Sequence, residues 1–156
     1  MKRLIALFLS FFFAFPALAE VPEEAWVMCQ PKSEVVVRVA ANRHSREAAR
    51  VFPGDRLILT GKKQGRWYQI ELPCENGGGW VRGDFLSFTE PEMFEGGKEF
   101  VTTRKNLKAR YSIRGNVRKT FRKKGVCVKV YLMSEEWSVT SQGFIMTKFL
   151  EAVDET

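Results

Sequence analysis

Apolar and polar residues alternate in short runs along most of this chain. Trp26-Val27-Met28-Cys29, Val35-Val36-Val37-Arg38-Val39, Arg56-Leu57-Ile58-Leu59-Thr60 and the stretch from Trp67 to Leu72 are rich in β-branched and aromatic residues. Turn formers separate them: Gln30-Pro31-Lys32-Ser33, Pro53-Gly54-Asp55, and Gly61 to Gly65. A glycine-rich loop from Pro73 to Gly79 precedes one more short strand, Trp80-Val81. The polar stretch from Asn42 to Arg50 is too short for a stable helix and reads as a loop. Short strands at intervals of about ten residues predict a small all-β architecture.

The same plan returns further along the chain. Leu107-Lys108-Ala109-Arg110 answers Val35-Val36-Val37-Arg38, and the run from Gly125 to Val130 answers the run from Gly54 to Leu59. Trp137 answers Trp67, Gly143-Phe144 answers Gly79-Trp80, and Phe149-Leu150 answers Phe85-Leu86. The offset drifts from 72 at Arg38 and Arg110 to 70 at Trp67 and Trp137, then drops to 64 at Trp80 and Phe144. A step of six residues marks a loop insertion in the first copy, placed at about Leu72 to Gly77. Pro91 and the pair Gly96-Gly97, set among acidic residues, read as a connection between the copies. The expected division is 1–19 leader, 20–88 first unit, 89–97 linker and 98–156 second unit.

The leader changes the picture of where the protein works. Lys2-Arg3, an apolar run from Leu4 to Phe15 interrupted only by Ser10, and the small-x-small triplet Ala17-Leu18-Ala19 read as a secretory signal peptide with a cut before Glu20. The expected destination is periplasmic or extracellular, with no membrane anchor in the mature chain. Losing Lys2 and Arg3 takes the formal charge from +7 to +5. The excess is concentrated between Arg104 and Lys129, where eleven cations meet no acidic residue. Such a stretch attracts anions or serves as a solvated face. No nucleic-acid-binding motif accompanies it, so nucleic acid is not an expected partner. In an oxidising compartment Cys29 and Cys74 are expected to form a disulfide, leaving Cys127 over.

The repeated elements resemble the bacterial SH3 (SH3b) domain family in two tandem copies, over nearly all of the chain after the leader. They are Arg38, Pro53-Gly54, Trp67, Gly79-Trp80 and Phe85-Leu86, then Arg110, Lys124-Gly125, Trp137, Gly143-Phe144 and Phe149-Leu150. The resemblance implies two small SH3-like β-barrels. The chain departs from the family where Val39-Ala40-Ala41-Asn42 and Tyr111-Ser112-Ile113-Arg114 follow the entry arginines, and where Phe144 stands in place of a second tryptophan. The resemblance also implies a cell-wall partner, a peptide or glycan polymer of peptidoglycan. The alternative is a scaffolding role toward another exported protein.

Candidate chemistry favours binding over catalysis. His44 lies among Arg43, Ser45 and Arg46, away from any thiol, and three scattered cysteines match no metal-ligand spacing, so neither metal nor cofactor is expected. Glu71, Glu75 and Asp84 are carboxylates able to approach one another near the insertion. Trp67 and Trp137 open equivalent strands and are expected to be buried, which turns Tyr68 outward. Arg38, Tyr68, Trp80, Arg110 and Tyr111 are the candidate ligand-binding residues, with the arginines offering bidentate contacts to carboxylates.

Overall fold

The structure, a computed structural model, describes residues 20–73 and 77–153. Residues 1–19, read above as a leader, lie outside the described residues, as do Cys74 and Glu75. The described chain is all-β, with two short 3-10 turns at Gly83–Phe85 and Thr147–Phe149. The first seven strands are β1 (Glu24–Val27), β2 (Val35–Arg38), β3 (Glu47–Val51), β4 (Arg56–Gln64), β5 (Trp67–Ile70), β6 (Gly79–Arg82) and β7 (Leu86–Ser87). The second seven are β8 (Glu92–Thr102), β9 (Leu107–Arg110), β10 (Val117–Phe121), β11 (Cys127–Met133), β12 (Trp137–Thr140), β13 (Gly143–Met146) and β14 (Leu150–Ala152).

They form two seven-stranded sheets in the orders β3-β2-β6-β5-β4-β1-β7 and β10-β9-β13-β12-β11-β8-β14. The second order is the first with seven added to every number. The turns repeat as well as the strands. Gly54 N donates to Val27 O and Gly125 N to Thr102 O; Met28 N donates to Phe85 O and Thr103 N to Phe149 O. Gly83 N donates to Arg66 O and Thr147 N to Glu136 O. The loop between β5 and β6 spans 71–78, whereas β12 and β13 are joined by Ser141 and Gln142 alone, which is where the six extra residues sit. Neither sheet closes into a barrel, because the edge strands β3 and β7, like β10 and β14, do not pair with each other.

Two segments differ from their expected form. Glu47 to Val51, read as part of a loop, is strand β3, paired to β2 with Val35 opposite Val51 and Val37 opposite Ala49. It is an edge strand whose charged side chains face solvent, so it lacks the apolar alternation of the inner strands. Glu92 to Gly97, read as linker, is the first half of β8. Met93 pairs with Leu132 and Lys98 with Val130, so β8 carries extra residues between the two pairings. Gly96 and Gly97 have φ of 71° and 85°, and this left-handed backbone lets the strand bulge and resume instead of ending.

Each sheet wraps its own core. Val27, Val37, Leu59, Ile70 and Val81 fill the first, and Phe100, Leu107, Phe121, Val130 and Ile145 the second. A third apolar cluster joins them: Met28 from the first unit meets Ile113, Leu132, Val139 and Phe144 of the second, with Phe85 and Trp137 packed against it. Phe85 and Phe144 meet edge to face, ring centroids 6.3 Å apart. Gln30 Nε2 donates to Thr140 O at 2.9 Å, and Ile113 N donates to Asp84 O at 3.0 Å, across the same seam. The second sheet is therefore covered on both faces along β12 and β13, and Phe144 stands where the first copy has Trp80.

Truncating Phe144→Ala should lower stability by about 3–5 kcal/mol in a denaturant titration, as for other buried aromatic side chains. A loss under about 1 kcal/mol, in the range of a surface substitution, would mean that the seam does not hold the two sheets together.

Candidate functional site

The seam opens on one flank into a cleft of about 280 Å³ to which both units contribute. From the first unit come Arg66 at the β4–β5 turn, Tyr68 of β5, Gly83 and Asp84 of the 3-10 turn, and Phe88. From the second come Ile113 and Arg114, in the loop after β9, and Ser134, Glu135, Glu136 and Trp137 at the β11–β12 turn.

The sequence builds this wall through close contacts. The Tyr68 ring lies against Gly83, where a Cβ would sit 2.7 Å from the ring, so glycine is needed to let the ring approach the turn. Phe88 packs on Tyr68 with centroids 5.3 Å apart, and Lys63 Nζ stands 5.0 Å from the same ring. Asp84 is buried beneath the cleft floor, ion-paired to Arg82 and 3.8 Å from Arg66. Its backbone carbonyl holds the Ile113 loop. On the opposite wall Ser134 Oγ donates to Trp137 O at 2.9 Å and accepts from Trp137 N, which fixes the turn that presents Glu135 and Glu136. Both glutamates and Arg114 are exposed, and no ion pair to another described residue engages them.

Gly65 and Arg66 continue into a second hollow of about 570 Å³, where Asn42, Arg43, Arg66 and Arg82 surround Trp67. The pair of hollows makes a trough with an arginine-rich end and a glutamate-bearing end, floored by aromatic rings. Chemically it suits a ligand with separated carboxylate and amine groups and some apolar body between them.

The residues singled out from the sequence are distributed differently from expectation. Tyr68 lines the cleft and is half-buried. Trp80 is 9% exposed and lines neither hollow; on β6 it alternates with Val81, which is the residue that faces the first core. Arg38 Nη1 donates to Ser45 O at 2.9 Å and Arg110 Nη1 to Gly115 O at 2.8 Å, so both guanidinium groups hold the loop that follows their own strand. Tyr111 is 64% exposed, lies outside the cleft, and carries the Arg118 guanidinium 5.9 Å from its ring. Tyr68 and Tyr111 therefore share no groove; Ile113 and Arg114 enter the cleft from the loop that Tyr111 begins. Trp67 and Trp137 are half-buried, each with one face on a hollow.

Of the three carboxylates considered together, Asp84 is paired with arginines, Glu71 is exposed elsewhere, and Glu75 lies outside the described residues. His44 is exposed, and its Nε2 accepts from Arg43 Nε at 3.0 Å. No three His, Cys, Asp or Glu side chains cluster among the described residues. Arg66, Arg82, Arg114, Glu135 and Glu136 were not singled out from the sequence, because each is unique to one copy. Their signal was that very lack of repetition.

Cys29 carries a free thiol in the structure, buried, with Sγ 3.8 Å from Ser33 O; its expected partner Cys74 lies outside the described residues. Burial, and then the negative charge of Asp55, pushes the Cys29 thiol up to about 11. Cys127 is free and exposed on β11.

No protein-family model matches the chain, and no curated protein matches it. Two solved structures similar to it are NlpC1 and NlpC2, both from Trichomonas vaginalis. NlpC1 aligns over 93% of this chain and 51% of its own, at 11% identity and a TM-score of 0.35. NlpC2 aligns over 88% and 52% respectively, at 11% identity and a TM-score of 0.36. The chain spans about half the length of each.

Because the thiolate is the reactive form, maleimide at pH 8 should label Cys127 within minutes and leave Cys29 unlabelled until denaturant is added. Labelling of both at equal rates in the folded protein would contradict the burial of Cys29.

Proposed function

We propose that the chain is an exported, non-catalytic binding module of two SH3-like units, and that it recognises the peptide stems of cell-wall peptidoglycan. The observation that carries this reading is the trough between the units, with Arg66 and Arg114 for carboxylates, Glu135 and Glu136 for an amine, and Tyr68 and Trp137 for the body of a short peptide. Stem peptides carry carboxylate and amine groups on one small chain, which is the charge pattern that the trough complements. The repeated strand plan and its resemblance to bacterial SH3 domains support the same reading.

A second reading, a scaffold for another exported protein, draws on the other flank of the seam. There Pro31, Pro53, Met93, Phe94 and Leu132 line an open hollow of about 890 Å³, and Met93 is 61% exposed.

On the first reading the folded protein is retained on purified peptidoglycan at low salt, and a soluble stem peptide binds in calorimetry. Arg114→Gln, or Glu135→Gln with Glu136→Gln, should weaken the soluble peptide about tenfold or more, as expected for loss of a charge-assisted hydrogen bond. Absence of retention by folded protein would sink the wall reading. A single stoichiometric protein captured through the Met93 flank, and lost in Met93→Glu, would establish the second in its place.

A further inference from the structure

The two copies act as controls for each other, since a feature present in only one of them is not required by the fold. The end of each sheet unit carries two neighbouring turns. In the first unit these are the β1–β2 loop and the β3–β4 turn, which carry acidic Glu34 and Asp55 beside basic Lys32 in their sequence. In the second they are the β8–β9 turn at 103–106 and the β10–β11 turn at 122–126. Pairing of Leu107 with Phe121, and hydrogen bonds from Thr102 N to Val126 O and from Gly125 N to Thr102 O, bring these two turns side by side. They carry Arg104, Lys105, Arg122, Lys123 and Lys124, all exposed, and no acidic residue. None is in an ion pair with another described residue.

The equivalent positions show what the first unit does with this end. Met28, fully buried in the seam, corresponds to Thr103, which is exposed. Phe85, which meets Phe144 across the seam, corresponds to Phe149, whose ring has the Arg104 guanidinium and Lys148 Nζ each 5.1 Å away. An end that docks apolar surface in the first copy is thus rebuilt in the second as a cationic tip. The cations stand on two adjacent turn tips, not along a groove. A linear polyanion is held best by a groove that follows it; a convex tip suits a broad charged plane.

We infer that the tip formed by Arg104, Lys105, Arg122, Lys123, Lys124 and Lys148 docks end-on against an anionic lipid surface. Lysines and arginines close to such a surface add attraction roughly one by one, and the attraction fades beyond the Debye length. The contact is peripheral, with the side chains reaching the headgroup phosphates while the sheet stays in water. It is separate from the trough and does not depend on what the trough binds.

The test is co-sedimentation of the full chain with vesicles of phosphatidylcholine containing 30 mol% phosphatidylglycerol, at 0.1 M salt. The wild type should bind these and not pure phosphatidylcholine. Arg122→Gln with Lys123→Gln and Lys124→Gln should lower the partition coefficient at least tenfold. Lys32→Gln with Arg46→Gln and Lys62→Gln, which removes the same charge from the first unit, should lower it no more than twofold. All six positions are exposed, so circular dichroism should report both variants folded. Equal losses in the two variants, or no binding to anionic vesicles, would overturn the inference. So would binding of soluble polyphosphate as tightly per phosphate as the vesicles, which would assign the tip to free polyanions.

Discussion

The seam where Met28 and Phe85 of the first unit pack against Ile113, Leu132, Val139 and Phe144 of the second is the contact on which the rest depends. Met28 and Phe144 are excluded from solvent almost completely, and burying a side chain of that size contributes about 1.5–3 kcal/mol each. The seam explains the burial of β12 and β13 on both faces, unusual for strands of an open antiparallel sheet. It also accounts for where the second copy differs from the first. Phe144 replaces a tryptophan at a position now covered by another unit, and the Tyr111–Arg114 loop contributes Ile113 to packing and its backbone N–H to Asp84. The flanks of the seam are where the hollows open, so one packing event sets both the stability and the geometry of the candidate site.

Duplication also sorts the polar residues by role. Arg38 and Arg110 occupy equivalent places, and each donates to a carbonyl five to seven residues ahead, closing the loop after its strand. Their repetition drew attention in the sequence, yet repetition is the signature of what two copies of one fold both require. The exposed charges that face the trough or crown the basic tip occur once. Arg114 has no charged counterpart at the matching place in the first copy, and Glu135 and Glu136 correspond to Gly65 and Arg66. A residue freed from the folding requirement in one copy is the place to look for binding.

What the sequence made legible follows from where apolar residues are obliged to alternate. Inner strands such as β4, β5, β11 and β12 have one or both faces buried, so their pattern is plain and their repeat offset could be followed to the six-residue step in the β5–β6 loop. The edge strands β3 and β10 have charged, solvent-facing side chains with burial only at Val51 and Phe121, and carry almost no such pattern. Gly96-Gly97 read as a break because paired glycines usually end a strand; here they form a bulge in β8. The trough was illegible for a further reason. Its walls come from Arg66 to Phe88 on one side and Ile113 to Trp137 on the other, and no local pattern reports that two units will dock with those turns face to face.

The proposed trough and the proposed tip use charge in physically different settings, and this separates them. Asp84 is buried and clamps Arg82 and Arg66 from below, so part of the trough's field arises where water and ions have little access. The cations of the tip are exposed to solvent, where a Debye length of about 8 Å at physiological salt screens all but the nearest anions. Raising salt should therefore strip the tip from a charged surface well before it loosens a peptide held between Arg66, Arg114 and the aromatic rings. A protein built in this way would reach its ligand first through a weak, laterally mobile adhesion and then through a short-range fit. The two copies of one fold would divide these tasks because the seam hides the end of one unit and leaves the matching end of the other free.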